Sequence, residues 1–358
     1  MENKRNVYKK RALRISLTVL FLLAAMIGAS ILSVHPDVLL EKTLHSFYNE
    51  ENDSLDYVVL GASATQCGIY PAVIYRERSV TGNCLCVNGG DAKIYLSMLK
   101  ELLSKQSSPL VIVDLDGFTE YQPVEEYPSS IFWMDSMKRN RNHFETVLRV
   151  DPDHALERFF PLIRYHKNLL EPDEWFWFSY YLCFKHETDP MKGAWYLDYD
   201  RLPPEEMQEL RLLEAVTGGE SEPLPQTSEE LLIEFLEYCK AQKLKNVLFL
   251  DMPKAYTSEE SREKILSIEK QSAYCQTIVE RYGYSVFNYN LLENPASLSP
   301  SDFADRMHLN ADGAIRFSAY FAEYLRTNYD FSPCGPEQAD RWNEQTEQAY
   351  RDHALDRP

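Results

Sequence analysis

The stretch Asp56-Tyr-Val-Val-Leu-Gly-Ala-Ser63 decides how the rest of the chain is interpreted. Residues Tyr57 to Leu60 form a continuous apolar run that ends at a glycine, which is typical of a strand buried in a parallel sheet. Ser63 follows this strand, and open α/β sheets bind ligands at the carboxyl ends of their strands. A Gly-x-Ser at a strand end is by itself most often a turn of small residues. The remaining segments therefore decide whether Ser63 has a chemical role.

Further apolar segments repeat the pattern of a strand followed by a helix. Additional strands are expected at 84–87, 110–114, 246–252 and 285–289. The segments between them carry apolar stripes at helical spacing, and a last helix is expected from about Ala311 to Leu325. Repeated strand–helix units favour a parallel sheet with helices on both faces. The sequence therefore predicts an α/β fold, a three-layer, doubly wound, flavodoxin-like arrangement around a five-stranded parallel sheet.

The expected sheet domain spans residues 56–330 and contains one long insertion, residues 119–226. This insertion is too long for a simple crossover between strands. It holds four of the five tryptophans and the aromatic run Trp175-Phe-Trp-Phe-Ser-Tyr-Tyr-Leu-Cys-Phe184. We predict a helical subdomain with its own core, which can also form a lid or wall beside the strand ends. The polar segment 331–358 is expected to be a loosely ordered tail.

The amino-terminal segment predicts a membrane anchor. Residues 1–14 hold six basic residues and one acid, and residues 15–34 contain no charge. A helix of that length spans about 30 Å, the thickness of the hydrocarbon core. The basic segment favours a cytoplasmic amino terminus, with the connector 35–55 and the C-terminal domain outside the cell membrane. A cleaved signal peptide is the alternative, but its apolar region is normally about 7–15 residues long.

Composition limits the possible partners. The net charge is −18, and because residues 1–14 carry +5, the rest of the chain carries −23. Such an acidic body would repel phosphates, so we expect no nucleic-acid partner. The seven cysteines form no Cys-x-x-Cys, and buried free thiols are expected. The spacing of His143, His154 and His166 does not suggest metal ligands. We therefore predict neither a metal nor a cofactor.

A second segment, Asp305-Arg-Met-His308-Leu-Asn310, stands just before the last expected helix. A serine hydroxyl is a weak nucleophile that needs a base, and the base needs an acid to orient it. Asp and His three residues apart on a turn can bring carboxylate and imidazole together. We therefore predict that Ser63 is a nucleophile, His308 its base and Asp305 the orienting acid. Cys67 has no base placed for it, so it is a poor candidate nucleophile.

Acyl transfer also needs hydrogen-bond donors for the developing oxyanion. The backbone amides of Ala64 and Gly90 and the side chain of Asn88 are the expected donors. On the substrate side, the candidates are His166 in the insertion and Asp116 after the third strand. Asp251, at the end of the fourth strand, is a further residue that could line the cleft.

These three motifs resemble those of the SGNH hydrolases, also called GDSL-type esterases. The shared features are a Gly-x-Ser after the first strand, a glycine after the second, and Asp-x-x-His before the last helix. The resemblance covers about residues 55–118 and 244–327 and is greatest to a branch of membrane-anchored bacterial proteins. It implies that Ser63 is the nucleophile, that Gly90, or alternatively Gly89, is the second-block glycine, and that Asp305 and His308 complete the triad.

The resemblance implies a membrane-anchored, extracytoplasmic serine esterase or O-acyltransferase. Its substrates would be acyl esters of cell-envelope glycans or polymers, and it would also contact the lipid bilayer through residues 15–34. Two positions depart from the family. Ala62 replaces an acidic residue, and the third strand ends in Asp114-Leu-Asp116-Gly117 without the family's asparagine. Losing one oxyanion donor typically costs about 10²–10³ in rate. The alternative is therefore a weak or inactive member that binds an envelope polymer or a protein.

Overall fold

The structure is a computed structural model that describes residues 2–34, 37–119, 129–171, 177, 189–213 and 221–356. The chain divides into two compact units. Residues 1–38 and 134–185 form one, here called the anchor unit, and residues 39–133 and 186–358 form the other, here called the sheet unit.

The sheet unit is built on a parallel sheet. The described strands are β1 (Tyr57–Gly61), β2 (Gly82–Cys86), β3 (Leu110–Asp114), β4 (Arg211–Leu212), β5 (Val247–Asp251), β6 (Ala255–Tyr256) and β7 (Ser285–Asn288). Five of them form one sheet in the order β2-β1-β3-β5-β7, with every pairing parallel. β4 and β6 form a short antiparallel ribbon. The predicted α/β class with a five-stranded parallel sheet is confirmed.

Helices connect these strands. In chain order they are α1 (Glu2–Ser33), α2 (Val38–Asn49), α3 (Ser63–Gly68), α4 (Pro71–Arg78), α5 (Ala92–Leu103), α6 (Asp116–Thr119), α7 (Ser129–Ser136), α8 (Arg141–Val150), α9 (Ala155–Phe159), α10 (Leu162–Leu170), α11 (Pro204–Gln208), α12 (Gln226–Ala241), α13 (Glu259–Arg281), α14 (Ala311–Asn328) and α15 (Pro336–His353). Single 3₁₀ turns occur at Pro152–His154, Tyr289–Leu291 and Pro300–Asp302.

All five residues of β1 are buried, which explains its uninterrupted apolar sequence. Successive side chains of a strand point to opposite faces. Val59 belongs to the core cluster that also contains residues of α4, α14 and α15. On the other face, Phe249 of β5 packs against Phe118 and against Phe235 of α12. Helices therefore pack on both faces, and the carboxyl ends of the strands remain available for a site.

The expectation that residues 331–358 are loosely ordered is wrong. α15 occupies most of this segment and packs against α4, with the rings of Trp342 and Tyr75 5.0 Å apart. Its buried residues, Trp342, Thr346, Ala349 and Tyr350, recur at helical spacing within an otherwise polar sequence. This stripe was the available signal, and the high local charge concealed it.

In the anchor unit, α1 contains the stretch Tyr8–Ser30, which is long enough and apolar enough to cross a membrane. A signal sequence near an amino terminus satisfies the same criterion of length and composition. The carboxyl end of α1 packs against α10. Of the aromatic run 175–184, only Trp177 is among the described residues, and Cys183 lies outside them.

Candidate active site

Ser63 is the first residue of α3, directly beyond the carboxyl end of β1. The glycine of the motif is explained by packing, because a Cβ on Gly61 would lie 2.8 Å from Cβ of Asp114 and would also overlap the Thr65 hydroxyl. The Ala62 amide donates to Oδ2 of Asp114 at 3.2 Å. The β1–α3 turn is therefore held against the end of β3, which fixes the position of Ser63.

His308 and Asp305 come from a short loop before α14. The Asp305 carboxylate accepts hydrogen bonds from the amides of Met307, at 2.8 Å, and His308, at 2.9 Å. The same carboxylate lies 2.8 Å from Nδ1 of His308. Nε2 of His308 lies 2.8 Å from Oγ of Ser63. The structure thus brings together the three residues that the sequence singled out, over a separation of 245 residues between Ser63 and His308.

The partners of the two His308 ring nitrogens indicate which nitrogen carries the proton. Because an ionised carboxylate only accepts hydrogen bonds, Nδ1 of His308 carries the proton and donates it to Asp305. Nε2 is then the acceptor for the Ser63 hydroxyl. Burial alone would raise the pKa of Asp305, but the hydrogen bond and charge of His308, the Met307 amide and the charge of Arg201 hold it below its usual value. Asp305 therefore stays ionised beside the imidazole.

Arg201 is a member of this site that the sequence did not reveal. Its Nη1 lies 3.1 Å from Oδ2 of Asp305 and 2.8 and 3.0 Å from Nδ1 and Nε2 of His308. Nη1 of Arg201 cannot donate in line to both ring nitrogens, because they point in different directions. The guanidinium therefore packs against the imidazole ring, and its ion pair is with Asp305. Arg201 belongs to no sequence motif, and its backbone amide also donates to the Ala304 carbonyl of this loop at 2.8 Å.

A cavity of about 160 Å³ opens at Ser63. Its lining is contributed by Ala62, Ser63, Ala64, Asn88, Gly89, Gly90, Asp91, Asp116, Gly117, Arg201, Met307 and His308. The Ala64 amide is in the first turn of α3, where amides have no acceptor within the helix. Within the described ranges, no other group accepts a hydrogen bond from it. Asn88 is exposed at the mouth of this cavity.

The third expected oxyanion donor, Gly90, is already engaged. Its amide donates to the Val87 carbonyl at 2.7 Å, closing a turn in which Gly89 has φ of +65°. That positive φ suits glycine at the third position of a type II turn. The Gly90 amide would have to leave Val87 before it could bind an oxyanion, whereas Ala64 and Asn88 would not.

The expected substrate contacts lie in different places. Asp116 lines the cavity, but both of its carboxylate oxygens are shielded from solvent. His166 is exposed on α10 of the anchor unit, where Nδ1 lies 3.1 Å from the Ile163 carbonyl, and the described cavity lining does not include it. Asp251 is fully buried and does not line the cavity either. Cys67 is also fully buried, and burial raises the pKa of its thiol.

Beside the cavity lies a second group of ionisable residues, here called the sealed cluster, which consists of Lys254, Asp116, Asp251 and Glu269. The Lys254 ammonium lies 3.0 Å from a carboxylate oxygen of both Asp116 and Glu269, and it also contacts Asp251. Burial alone would lower the pKa of Lys254, but these carboxylates raise it well above its usual value. Burial, followed by repulsion from Glu269, raises the pKa of Asp251.

Asp114 links the sealed cluster to Ser63. Its Oδ1 accepts from the Asp116 amide at 3.0 Å, and its Oδ2 accepts from the amide of Ala62 and the hydroxyl of Thr65, each at 3.2 Å. Complete burial, together with the charge of Asp116, raises the pKa of Asp114 to about 7. This carboxyl group therefore holds the nucleophile's turn in place and changes its charge near neutral pH.

No protein-family model, curated protein or solved structure matches the chain. Within the described residues, no group of His, Cys, Asp or Glu is arranged to hold a metal ion.

Proposed function

We propose that the protein is a serine esterase or O-acyltransferase of the SGNH type that forms an acyl-Ser63 intermediate. The observation that carries this proposal is the hydrogen-bonded chain from Ser63 Oγ to His308 Nε2 and from His308 Nδ1 to Asp305, with both links 2.8 Å long. Activation of a serine requires this order of groups at these distances, whatever the fold. The cavity at Ser63 supports the proposal because it gives the hydroxyl access to a substrate.

The first half-reaction transfers the acyl group to the protein. His308 Nε2 takes the proton of Ser63 as Oγ attacks the carbonyl carbon of an ester. The carbonyl oxygen becomes an oxyanion, for which the Ala64 amide and the Asn88 side chain are the proposed donors. Asp305 stabilises the imidazolium. As the C–O bond of the ester breaks, the imidazolium returns its proton to the departing alcohol, and acyl-Ser63 remains.

The second half-reaction reverses these roles. A water or a substrate hydroxyl loses its proton to Nε2 and attacks the acyl carbonyl, and the proton then returns to Ser63. Water gives hydrolysis, and a sugar or polyol hydroxyl gives acyl transfer. Asn88 takes the part that the third-strand asparagine plays in the SGNH family, from the end of β2, which pairs with β1 on the side opposite β3.

We further propose that α1 anchors the chain in the cell membrane with the sheet unit outside the cytoplasm. The apolar span in α1 and the basic residues before it support this topology. An extracytoplasmic site favours acylated glycans or other polymers of the envelope as substrates. A polar substrate also suits a cavity that exposes Asn88 and Arg201 beside the reacting groups.

The alternative is a protein on this fold that binds an envelope polymer or protein and turns over slowly or not at all. The engaged Gly90 amide favours it, because one oxyanion donor expected from the family is committed to Val87. A probe that reacts only with an activated serine separates the two proposals.

The test is labelling of the detergent-solubilised full chain with a fluorophosphonate. Ser63 would attack phosphorus and expel fluoride, so we expect one stoichiometric label on the wild-type protein and none on Ser63→Ala. Ser108→Ala, which removes an exposed serine elsewhere in the sheet unit, is the matched control and should label like wild type. Absence of labelling in the folded wild type, or equal labelling of Ser63→Ala, would favour the binding protein.

A further inference from the structure

Exposed apolar side chains are concentrated in the anchor unit. Apart from α1, nine large apolar side chains are exposed in the described part of the chain, and six of these lie in the anchor unit. They are Phe144, Leu148, Leu156, Ile163, Leu170 and Trp177. The much larger sheet unit has only Tyr199, Leu291 and Leu292. Soluble proteins rarely leave a patch of this kind uncovered, which makes the surface formed by α8, α9 and α10 a candidate contact surface.

These side chains come from helices that pack on one another. The rings of Phe144 on α8 and Phe159 on α9 stack at 5.1 Å, and α9 contacts α10. On α10, Ile163, Lys167 and Leu170 are four and three residues apart and therefore share one side of the helix. Leu156 is 63% exposed and Leu170 is 75% exposed, which is unusual for leucine in a folded domain.

The charge of this region also differs from that of the whole chain. Residues 134–171 hold seven Lys or Arg and six Asp or Glu, a net charge of +1, whereas the chain carries −18. Arg164 and Lys167 stand beside Ile163 and Leu170 on α10 and are exposed. Long basic side chains lay their stems on apolar surface and keep their charge in water. Helices that lie in the membrane interface combine these residue types.

The contact between α10 and α1 fixes the height of the patch. α1 is exposed from Tyr8 to Ile27, whereas Gly28 and Ala29 are half-buried and Ser30 and Ser33 are buried, although Leu32 is again exposed. The Asn168 side chain donates to the Ser33 carbonyl at 2.9 Å. Ser33 is three residues beyond Ser30, where the apolar span ends, which is about 4.5 Å along a helix. Amphipathic helices bury about 5–10 Å into the boundary between headgroups and acyl chains, a depth that matches the distance of the α10 contact from the end of the apolar span.

We propose that Phe144, Leu148, Leu156, Ile163 and Leu170 lie in the headgroup boundary of the bilayer that α1 crosses. The occupant of the patch is therefore lipid, with Arg164 and Lys167 directed toward anionic headgroups. This proposal rests on the proposed membrane anchoring and adds a second, interfacial attachment to it. α8–α10 would then lie along the membrane rather than stand in solvent at the end of a flexible anchor.

The test places a fluorophore on the full chain in lipid nanodiscs. Cys183 and Cys334 are changed to serine, and Leu156→Cys, Leu170→Cys or Leu22→Cys is labelled with an environment-sensitive dye. Leu22, within α1, reports the anchoring itself. With nitroxide lipids we expect Leu156→Cys and Leu170→Cys to lose more of their emission to a headgroup-proximal nitroxide than to one near the chain ends, because interfacial burial places them at the headgroup boundary. Leu22→Cys should respond more strongly to a nitroxide near the chain ends.

The possible outcomes are distinct. Water-like emission at Leu156→Cys and Leu170→Cys, with deep quenching at Leu22→Cys, overturns the interfacial attachment and leaves the anchor intact. Dyes that are shielded from aqueous iodide but unaffected by nitroxide lipids show a protein occupant, or a second copy, and also overturn it. No quenching at Leu22→Cys removes the anchor and the inference together. None of these results bears on fluorophosphonate labelling of Ser63.

Discussion

Two groups of ionisable residues meet at the carboxyl edge of the sheet, and they differ in their access to water. Ser63, His308, Asp305 and Arg201 line or border the cavity, and the guanidinium side chain is 34% exposed. The side chains of the sealed cluster are at most 5% exposed. Both groups place a basic nitrogen about 3 Å from carboxylates. The residue types therefore do not distinguish a reactive site from a structural one.

The two groups differ in whether the basic side chain has a nitrogen that can act on another group. The Lys254 ammonium is paired with three buried carboxylates, so its charge is neutralised inside the protein. His308 donates to one carboxylate with Nδ1 and keeps Nε2 for the Ser63 hydroxyl. Substitutions at Asp305 or His308 should therefore lower the rate at which Ser63 reacts. Substitutions in the sealed cluster should lower the free energy of unfolding.

The largest expected effect is that of Asp305→Asn on the rate at which Ser63 reacts with a fluorophosphonate. An asparagine oxygen can still accept from the amides of Met307 and His308, so the loop keeps its shape. Its NH₂ would then face Nδ1 and favour the tautomer with the proton on Nε2, which cannot accept from Ser63. We expect the rate of fluorophosphonate labelling to fall about 10⁴-fold, the size of the effect of this change in serine proteases.

Asp330→Asn removes an exposed carboxylate outside the site and is the control for Asp305→Asn. Its labelling rate should match that of the wild type, and both variants should unfold at the wild-type denaturant concentration. A rate for Asp305→Asn within tenfold of the wild type would show that the Asp305–His308 contact does not activate Ser63.

The second expected effect is a loss of stability in Lys254→Met. Methionine fills a similar volume but leaves Asp116, Asp251 and Glu269 facing one another without a cation. Removing one partner of a buried ion pair costs about 3–5 kcal/mol. We expect the free energy of unfolding at pH 7, measured with urea in detergent, to fall by about this amount, and the loss to shrink at lower pH as Asp251, whose pKa is raised by burial, takes up a proton.

Lys264→Met is the matched control because Lys264 pairs with Glu260 at 2.8 Å but is 72% exposed. Exposed ion pairs contribute little, so its unfolding curve should overlay that of the wild type. If the two lysine variants had the same free energy of unfolding, the sealed cluster would not contribute to the stability of the folded protein.

The sequence predicted Ser63, His308 and Asp305 as a group, whereas it singled out Asp116 and Asp251 only as residues of the cleft and gave no sign of Lys254 and Glu269 as their partners. β1 and β3 are continuous apolar runs, and Ser63 and Asp305-x-x-His308 belong to recognisable local motifs at the ends of elements. Lys254 carries no such signal, since a lysine after Pro253 ordinarily points to solvent. Its burial depends on Glu269, which comes from α13, and that pairing exists only after the helix packs on the sheet.

Arg201 was missed for a related reason. It lies in an irregular stretch of the predicted insertion, and only its tertiary contacts with Asp305 and His308 reveal it. The insertion is predicted to form a wall beside the strand ends, and Arg201, one of its residues, lines the cavity at Ser63. Periodicity locates elements, whereas contacts between distant segments depend on packing that a single sequence does not specify.

The smallest expected effect concerns Asp114, which joins the two groups. Because its folded-state pKa, about 7, lies above that of the unfolded chain, the folded protein binds the extra proton between the two values. Its contribution to stability is therefore fully present at low pH and is lost as pH rises through about 7. Between pH 5.5 and pH 8 we expect the unfolding free energy of the wild type to fall by about 2 kcal/mol more than that of Asp114→Asn.

Asp330→Asn should follow the wild-type curve, since that carboxylate is exposed. Parallel curves for Asp114→Asn and wild type would mean that Asp114 stays ionised throughout, with the nearby Lys254 charge outweighing burial. In that case Asp114 would belong electrostatically to the sealed cluster, and the turn carrying Ser63 would not respond to pH.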